Sequence, residues 1–397
     1  MKNVTGCFLF SMVLSIWALI FFMYSFKEEK EIETFYNSLI IPDNVTMYND
    51  EYCIGYNFLE AEKTFREDGL EPVSLAIHGT AEMMNFFEAK PKNWDGPISL
   101  GLFIDFHSRR ALEYIALLHR CDQEFREKVT VHFAFRVNPY LAECPSDIPI
   151  AENSCSDFLD NQNELRAAIN GPFQVYPINL MRNIARKGAK SDLHFLVDAD
   201  MVLSEGFATK VKPIANEMID GASKKMLVVR KFETENKIIP RDQFELLDEF
   251  NNKRVFEFHR HFFYAGHRIP DVYEWFNNSA FHHEIVSKEI PYGSYKWEVQ
   301  GILHRNDLYN PDYFPSRVMD MQSLIYSLCR ADYTFHVISQ VFTVHEGIKR
   351  GNSMYSQVVA AYTKKYSGVR AMNRYIREMD QNYPNSVEKC GGQFSLN

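Results

Sequence analysis

The chain has 397 residues, of which 46% are hydrophobic and 14% aromatic, and its formal net charge is −9. This composition excludes wholesale disorder, and the length allows a short anchor plus one large domain or two small fused ones. The basic residues are spread along the chain and form no concentrated basic run, which argues against a nucleic-acid partner.

The N-terminal apolar segment predicts a transmembrane signal anchor at residues 7–26. It begins CFLFSMVLSIWALIFFMY and contains no charged residue. Eighteen residues at about 1.5 Å each span about 27 Å, close to the thickness of the bilayer's hydrocarbon core. A cleaved signal peptide would need small residues before the cut, but Tyr24 and Phe26 flank Ser25. A buried core helix is disfavoured because a charged run follows at once.

The anchor divides the chain into a cytoplasmic tail (1–6), a charged and polar lumenal stem (27–70) and a catalytic domain (71–397). Lys and Arg counts on the two sides do not decide the orientation. Six cysteines lie outside the anchor, which favours an oxidising compartment. Cys144 and Cys155 are close enough in sequence to close a short loop, although other pairings remain open. Sequons at Asn44 and Asn277 agree with a lumenal domain, so we expect a single-pass type II Golgi protein.

Short apolar runs that alternate with amphipathic segments predict an α/β domain after residue 71. We predict strands at 73–79, 97–105, 129–137, 193–200 and 225–232. Helices are predicted around 83–87 and over 108–125, 179–189 and 205–221. Such alternation favours a mostly parallel sheet, covered on both faces, that binds ligands at the carboxyl ends of its strands. The second half is richer in aromatic residues and His, and we expect it to fold onto the first half as an irregular acceptor-side region.

The motif Asp198-Ala199-Asp200 follows the apolar run HFLV. In extended chain, residues two apart point the same way, so both carboxylates are predicted to face one crevice. Hard oxygen ligands at that position suit Mn²⁺ or Mg²⁺ bound to a diphosphate. One alternative is that these acidic residues cap the next helix, around Glu205. Another is a phosphatase that uses an Asp nucleophile, but such a motif usually lies near the start of its domain.

The segment VFTVHEGIKR places His345 at the end of a second apolar run. A lone His is usually structural, but beside the two aspartates it is a plausible third metal ligand. Lys349 and Arg350 follow closely and suit phosphate oxygens, unless they form a solvated basic tip. Four other histidines lack matched acidic partners at metal spacing and are interpreted as structural or surface residues. They are His259, His261, His282 and His283.

Taken together, several segments resemble glycosyltransferase family 49, the family of dystroglycan glucuronyltransferases and LARGE-type enzymes. These are W-x-GPISL (94–100), YPIN-x-x-RN-x-AR (176–186), FLVDAD (195–200), GHR…W (266–275), KWE (296–298) and FTVHEGIK (342–349). The resemblance implies a GT-A fold, an inverting mechanism and a UDP-sugar donor. The HEGIK form is similar to that of the glucuronyltransferase branch, which points to glucuronic acid.

On this resemblance, Mn²⁺ is held by Asp198, Asp200 and His345. The residues implied to bind the donor are Asn179, Arg182, Asn183, Asp198 and Lys349. A helix capped at Asn179 is the alternative for the residues just upstream of the motif.

The sequence departs from the family around residue 312, where the pattern P-x-Y/F-D-x-R-F is replaced by NPDYFPSR and the Arg loses its register. An inverting transfer needs a carboxylate that takes the proton of the acceptor hydroxyl. Asp312 is our first candidate for this base and Asp320 is our second. The alternative for either residue is that it caps the helix that follows.

The sequence therefore predicts a metal-dependent transferase that moves a sugar from a UDP-sugar to a glycan acceptor on a glycoprotein. The alternatives are a catalytically inactive lumenal binding protein, suggested by the altered region near Asp312, and the phosphatase. A homo-oligomer is left open.

Overall fold

The computed structural model describes residues 45–137, 144, 154–282 and 284–395. The predicted tail, the anchor at 7–26 and the first part of the stem lie outside these residues, as does Asn44. Within the described ranges, no helix has both the length and the apolar composition needed to cross a membrane.

The strands of the described residues form one twelve-stranded sheet. They are Val45–Tyr48 (β1), Tyr52–Leu59 (β2), Val73–Gly79 (β3), Ile98–Ile104 (β4), Val129–Arg136 (β5), Leu193–Leu196 (β6), Met201–Leu203 (β7), Lys225–Thr234 (β8), Val255–Glu257 (β9), Ser287–Ile290 (β10), Gln300–His304 (β11) and Thr334–Glu346 (β12). Their order is β1-β2-β5-β4-β3-β6-β11-β8-β12-β10, with β7 paired to β12 and β9 paired to β8.

Helices connect most of these strands. They are Met84–Asn93 (α1), Arg110–Cys121 (α2), Gln123–Lys128 (α3), Cys155–Asp160 (α4), Gln162–Ala167 (α5), Ile178–Gly188 (α6), Phe207–Met218 (α7), Gln243–Asn251 (α8), Tyr264–His267 (α9), Val272–Phe281 (α10), Asp320–Arg330 (α11), Met354–Thr363 (α12) and Val369–Asn382 (α13). The strands and helices predicted between residues 73 and 232 are present. Strand β3 has the predicted ends, the other elements have shifted ends, and the helix predicted over 108–125 is divided into α2 and α3.

The middle of the sheet is parallel, in the order β5-β4-β3-β6. Every residue of β3 and β4 is buried, because helices cover both faces of these strands. Helix α6 packs against β3, β4 and β5. The carboxyl ends of β3 and β6 therefore meet at one edge, next to the carboxylate motif.

The prediction of a mostly parallel sheet is wrong outside this central part. Strand β11 runs antiparallel to both β6 and β8, and β12 pairs parallel with β8. An apolar run indicates burial but not the direction of the strand, so the sequence did not reveal this. A Cβ on Gly301 would lie 2.1 Å from the carbonyl oxygen of Leu227, which shows how closely β11 approaches β8. The second half shares the sheet, as expected for a region folded onto the first half.

The predicted stem also contains part of the domain. Strands β1 and β2 lie within residues 27–70, yet β2 pairs antiparallel with β5. Cys53 and Ile54 in β2 are buried against the core. The folded domain therefore begins before residue 71, because these two short and mostly hydrophobic strands extend the edge of the sheet.

Three disulfides join parts of the chain that are distant in sequence. Cys53 pairs with Cys144, Cys121 with Cys155, and Cys329 with Cys390. The predicted pairing of Cys144 with Cys155 is therefore wrong. Cys121 ends α2 and Cys155 begins α4, and their Cα atoms lie 5.3 Å apart because these helices pack together.

Candidate active site

The carboxylate motif forms a turn after β6. The backbone N–H of Met201 donates to the carbonyl oxygen of Asp198 at 3.2 Å, and β6 itself ends at Leu196. The prediction that the two aspartates lie in extended chain is therefore wrong. The chain passes directly from this turn into β7, so Asp200 is the last residue before that strand.

His345 is brought to this turn by strand pairing. Met201 of β7 is in register with His345 of β12, and the imidazole Nε2 lies 3.5 Å from Oδ2 of Asp200. The other ring nitrogen, Nδ1, lies 3.0 Å from the carbonyl oxygen of Gly347. Burial opposes protonation of His345, but the hydrogen bond and charge of Asp200 outweigh it and raise the pKa of the imidazole.

Asp198 lies among positive and amide side chains. Lys231 Nζ is 3.4 Å from its Oδ2, and Gln300 donates to the same oxygen at 2.8 Å. Arg182 approaches Oδ1 at 3.8 Å. Burial opposes ionisation of Asp198, but the charges of Lys231 and Arg182 outweigh it and hold its pKa well below the usual range. This carboxylate is therefore ionised at neutral pH.

Two of the three predicted metal ligands lie together, since the Asp200 carboxylate is 3.5 Å from the His345 imidazole, whereas the Asp198 carboxylate contacts Lys231, Gln300 and Arg182. Asp198 and Asp200 offer carboxylate oxygens, and His345 offers an imidazole nitrogen whose orientation is fixed by Gly347. Carboxylate oxygens and an imidazole nitrogen are groups that bind divalent cations in proteins. The side chains of Asp198, Asp200 and His345 are each about one third exposed, so an ion from solvent can reach them.

The side chains of Asn179 and Asn183 form hydrogen bonds with the backbone of a nearby loop. The amide of Asn179 donates to the carbonyl oxygens of Pro311 and Asp320, and that of Asn183 exchanges hydrogen bonds with the backbone of Asn310. Both side chains are buried. A donor contact would have to displace these bonds. The capping interpretation of Asn179 is wrong, because α6 begins at Ile178 and has no side-chain cap.

Of the two candidate bases, Asp320 is linked to the carboxylate motif through Arg182. The Arg182 guanidinium lies between Asp320 and Asp198, 3.0 Å from Oδ1 of Asp320 and 3.8 Å from Oδ1 of Asp198. The Asp320 carboxylate also accepts the backbone N–H groups of Arg317 and Met321, which fixes it at the start of α11.

Asp312 lies at the β1 edge of the domain. Its carboxylate accepts a hydrogen bond from the hydroxyl of Tyr48, a residue of β1. Burial, with this hydrogen bond, raises the pKa of Tyr48 to about 12. The sequence could not show this contact, because Tyr48 belongs to the segment interpreted as stem.

Lys349 and Arg350 have different surroundings. The Lys349 ammonium lies 4.6 Å from the centre of the Phe262 ring, and burial and the charge of Arg317 lower its pKa. Arg350 is exposed and pairs with Glu235 at 3.2 Å. The solvated-tip interpretation therefore describes Arg350, whereas Lys349 is half-buried.

Sequence reasoning missed His78, Tyr176, Lys231 and Gln300. His78 lies at the end of β3, its Nδ1 is 2.6 Å from the Tyr176 hydroxyl, and its buried Nε2 has no protein partner. Burial, with the charge of Arg182, lowers the pKa of His78 to about 3, so the ring is neutral. The signal was available for His78, since it comes at the carboxyl end of a predicted strand.

The interpretation of His259 as lacking an acidic partner is also wrong. His259, His267 and Glu298 bring potential ligand atoms within 4.8 Å of one another. Burial and the nearby His267 lower the pKa of His259 to about 2. The partner comes from a residue far along the chain, so sequence spacing did not reveal it.

A family model described as "Glycosyl-transferase for dystroglycan" matches residues 72–384, which is most of the chain. The chain belongs to this family. It is therefore a glycosyltransferase, as the sequence predicted, and the phosphatase alternative is wrong.

Curated relatives of this glycosyltransferase include glucuronyltransferases. Mouse (Mus musculus) beta-1,4-glucuronyltransferase 1 is 25% identical over 332 residues, which cover 80% of this chain and 77% of the relative. The xylosyl- and glucuronyltransferase LARGE2s of Danio rerio is 24% identical over 221 residues, or 55% of this chain and 24% of the relative.

Two solved structures are more distantly similar. S. aureus TarS 1-349 in complex with UDP-GlcNAc gives a TM-score of 0.35 at 10% identity, and covers 80% of this chain and 74% of that chain. GalNAc-T7 with UDP, GalNAc and Mn²⁺ gives a TM-score of 0.39 at 12% identity, and covers 83% and 62%. The family model and the curated relatives, not these structures, carry the assignment.

Proposed function

We propose that this glycosyltransferase has a GT-A-type catalytic domain that transfers glucuronic acid from a UDP conjugate to a hydroxyl of a glycan on a glycoprotein. The transfer inverts the anomeric centre and requires a divalent cation, Mn²⁺ by preference. The observation that carries this proposal is the pairing of β7 with β12, which places His345 beside Asp200 at the turn that also holds Asp198.

Asp198, Asp200 and His345 are the residues that would hold the cation. When bound, it would neutralise charge on the departing nucleoside diphosphate. Three cationic side chains of this chain support the same task. Arg182 and Lys231 are buried next to Asp198, and Lys349 is half-buried next to Phe262. Their ammonium and guanidinium groups suit phosphate oxygens.

Asp320 is the carboxylate that we propose as the base. It lies one side chain away from Asp198 and is held in one orientation by two backbone N–H groups. A carboxylate has about four lone-pair sites, so an acceptor hydroxyl can still donate to it. Asp312 is our second candidate, because it contacts Tyr48 at the β1 edge, whereas Arg182 links Asp320 to Asp198.

The choice of glucuronic acid rests on the relatives and on the positive charge available. The relatives that cover most of this chain are named glucuronyltransferases. A glucuronate carboxylate needs a basic side chain near the sugar. Lys349 is a candidate, because its ammonium is half-buried beside the Phe262 ring.

We also propose that the protein is a single-pass type II Golgi protein anchored by residues 7–26. Three disulfides fit an oxidising compartment. Asn277 of the second sequon is exposed on α10. Fluorescence microscopy of the tagged chain, with a variant that lacks residues 7–26, tests the location. Retention of that variant in the Golgi would overturn the role of the anchor.

The activity is tested with the purified chain and a panel of UDP-sugars, with candidate glycan acceptors, in the presence of Mn²⁺ or EDTA. We expect release of UDP from UDP-glucuronic acid with Mn²⁺ only. Asp200→Asn should reduce turnover at least about 100-fold, because it removes a charged ligand. NMR of the product linkage checks inversion.

The matched control is Asp242→Asn, since Asp242 is exposed and its side chain caps α8, a role that Asn also performs. This variant should retain full activity. If the enzyme instead uses another UDP-sugar, the sugar of that donor takes the place of glucuronic acid in the proposal. Binding of UDP-sugar or glycan with no turnover of any donor would instead support the inactive binding protein.

A further inference from the structure

A second group of potential metal ligands lies beside the candidate active site. Nδ1 of His259 is 3.0 Å from Nε2 of His267, which is 2.8 Å from Oε1 of Glu298. The three ligand atoms lie within 4.8 Å of one another. His267 has a nearly buried side chain, and Glu298 is 19% exposed, so the group is sheltered but open to small ions.

The backbone fixes each of these residues. His259 follows β9 with a φ of 53°, and its ring stacks on Phe258 with centroids 3.8 Å apart. His267 ends the short helix α9. The backbone N–H of Glu298 donates to the carbonyl oxygen of Gly266 at 2.7 Å, which ties Glu298 to the same helix. The ligand atoms therefore converge because of main-chain geometry, as a metal site requires.

Hydrogen bonding alone accounts poorly for this convergence. Nε2 of His267 faces both the other imidazole nitrogen and the carboxylate, and a ring nitrogen has at most one proton to share between them. A cation at the centre would accept a lone pair from each group. In a tetrahedral zinc site, ligand atoms lie about 3.3 Å apart, given zinc–ligand distances of about 2.0–2.1 Å. The separations of 3.0 and 2.8 Å would open by roughly 0.3 to 0.5 Å, and the third separation, between His259 and Glu298, is at most 4.8 Å.

The group is separate from the ligand set at the carboxylate turn. Phe258 lies between the two, with its ring centre 5.7 Å from that of His345. The ammonium of Lys231 lies 4.0 Å from the centre of the Phe258 ring and pairs with Asp198. An aromatic ring and a positive charge therefore separate the two positions, so one ion cannot serve both.

We propose that His259, His267 and Glu298 form a second metal site, which binds Zn²⁺. Two imidazoles and one carboxylate are a ligand set that zinc uses, with the fourth position left to water. The ion would clamp α9 to the chain just before β11, the strand whose Gln300 donates to Asp198. This site does not depend on the proposed donor or acceptor.

The test uses the full chain in detergent, with Asp200→Asn as the background so that the first ligand set is disabled. Chelator-treated protein is given Zn²⁺, dialysed and assayed for metal by mass spectrometry. We expect one Zn²⁺ per chain. Co²⁺ in place of Zn²⁺ should give the strong visible absorption of a four-coordinate site.

Adding Glu298→Gln to this background should weaken Zn²⁺ binding at least tenfold, and adding His267→Ala should abolish it. Glu298→Gln keeps the size of the side chain and an oxygen that can accept from His267, so loss of the fold is not expected. The matched control is His261→Ala, an exposed histidine two residues from His259. It should bind Zn²⁺ as the background does. Absence of Zn²⁺ from the background variant, or equal binding with and without Glu298→Gln, would overturn the proposal.

Discussion

Lys90 lies beneath the carboxylate turn and donates from its ammonium to the carbonyl oxygen of Met201 at 2.6 Å. The side chain is almost completely buried, and burial lowers its pKa to about 8 although Asp200 and Asp198 oppose the shift. Met201 is the first residue of β7, whose pairing with β12 sets Asp200 beside His345. Lys90 therefore positions the turn from below without being one of its ligands.

Replacing Lys90 with Met should weaken Mn²⁺ binding. The Lys90→Met variant leaves the buried Met201 carbonyl without its donor, and an unsatisfied group of this kind costs about 1–3 kcal/mol. We expect the turn to shift and the affinity for Mn²⁺ to fall about tenfold, as for other residues that orient ligands. Titration followed by electron paramagnetic resonance measures this affinity. Lys92→Met, an exposed change on the same helix, is the control and should have no effect.

The pair of Arg182 and Asp320 provides a stability test. Both side chains are largely buried, at 6% and 14% exposure, and their charged atoms lie 3.0 Å apart. Arg182→Gln leaves a buried carboxylate without its partner, so we expect a loss of about 3 kcal/mol in the free energy of unfolding. Urea denaturation checks this value.

The double variant, Arg182→Gln with Asp320→Asn, separates the stabilising role of this pair from its chemical role. Neutralising both partners removes the uncompensated charge, so stability should recover by more than half. Turnover should not recover, because the proposed base is lost. Recovery of activity in the double variant would show that Asp320 is not the base.

The buried His132 should make the domain acid-sensitive. Burial, with the charge of Lys190, lowers its pKa to about 3, whereas the unfolded value is near 6.5. The unfolded state therefore binds the proton more readily, and the stability from the neutral ring is present above pH 6.5 and is lost as the pH falls toward 3. From these two pKa values we expect a loss of about 2 kcal/mol between pH 7.5 and pH 5.

Urea denaturation of wild type and His132→Gln at both pH values measures this contribution. The variant is less stable at pH 7.5, since His132 accepts the backbone N–H of Asn57 and contacts Ser99. Its further loss on acidification should be smaller than that of wild type by about 2 kcal/mol. Equal losses in the two proteins would contradict the neutral state of this ring.

Peptide mapping under non-reducing conditions checks the disulfides. We expect linked peptides that contain Cys53 with Cys144 and Cys121 with Cys155. Each bond closes a long loop, and removing the second by a double Cys→Ala change should cost about 2–4 kcal/mol. A peptide that links Cys144 to Cys155 directly would refute this connectivity.

Much of the candidate site was predictable from the sequence because it follows from local pattern. Apolar runs predicted β3 and β6, and the residue types at their ends predicted ligands at one edge of the sheet. Asp198, Asp200 and His345 were selected in this way, and the structure places Asp200 next to His345. The motifs also predicted membership of the family, which the family model confirms.

The arguments from local pattern failed where the partner lies far along the chain. Asn179 suited a helix cap, but its amide holds the loop at Pro311. Asp312 was the first candidate for the base, but Tyr48 donates to it from a strand that had been interpreted as stem. In both cases the residue type indicated a polar role, but the sequence did not reveal the distant neighbour that determines this role.

By itself, the sequence determined which segments are buried, which residues end the buried strands, and the family to which the chain belongs. The tertiary structure alone decided the register of β7 on β12, the directions of the strands in the second half, the pairing of the cysteines and the meeting of His259 with Glu298. The physical reason is that periodicity reports how each residue divides between core and solvent, which is a local property. The choice of partner depends on how the whole chain closes and packs, and residues far apart in sequence contribute to it equally.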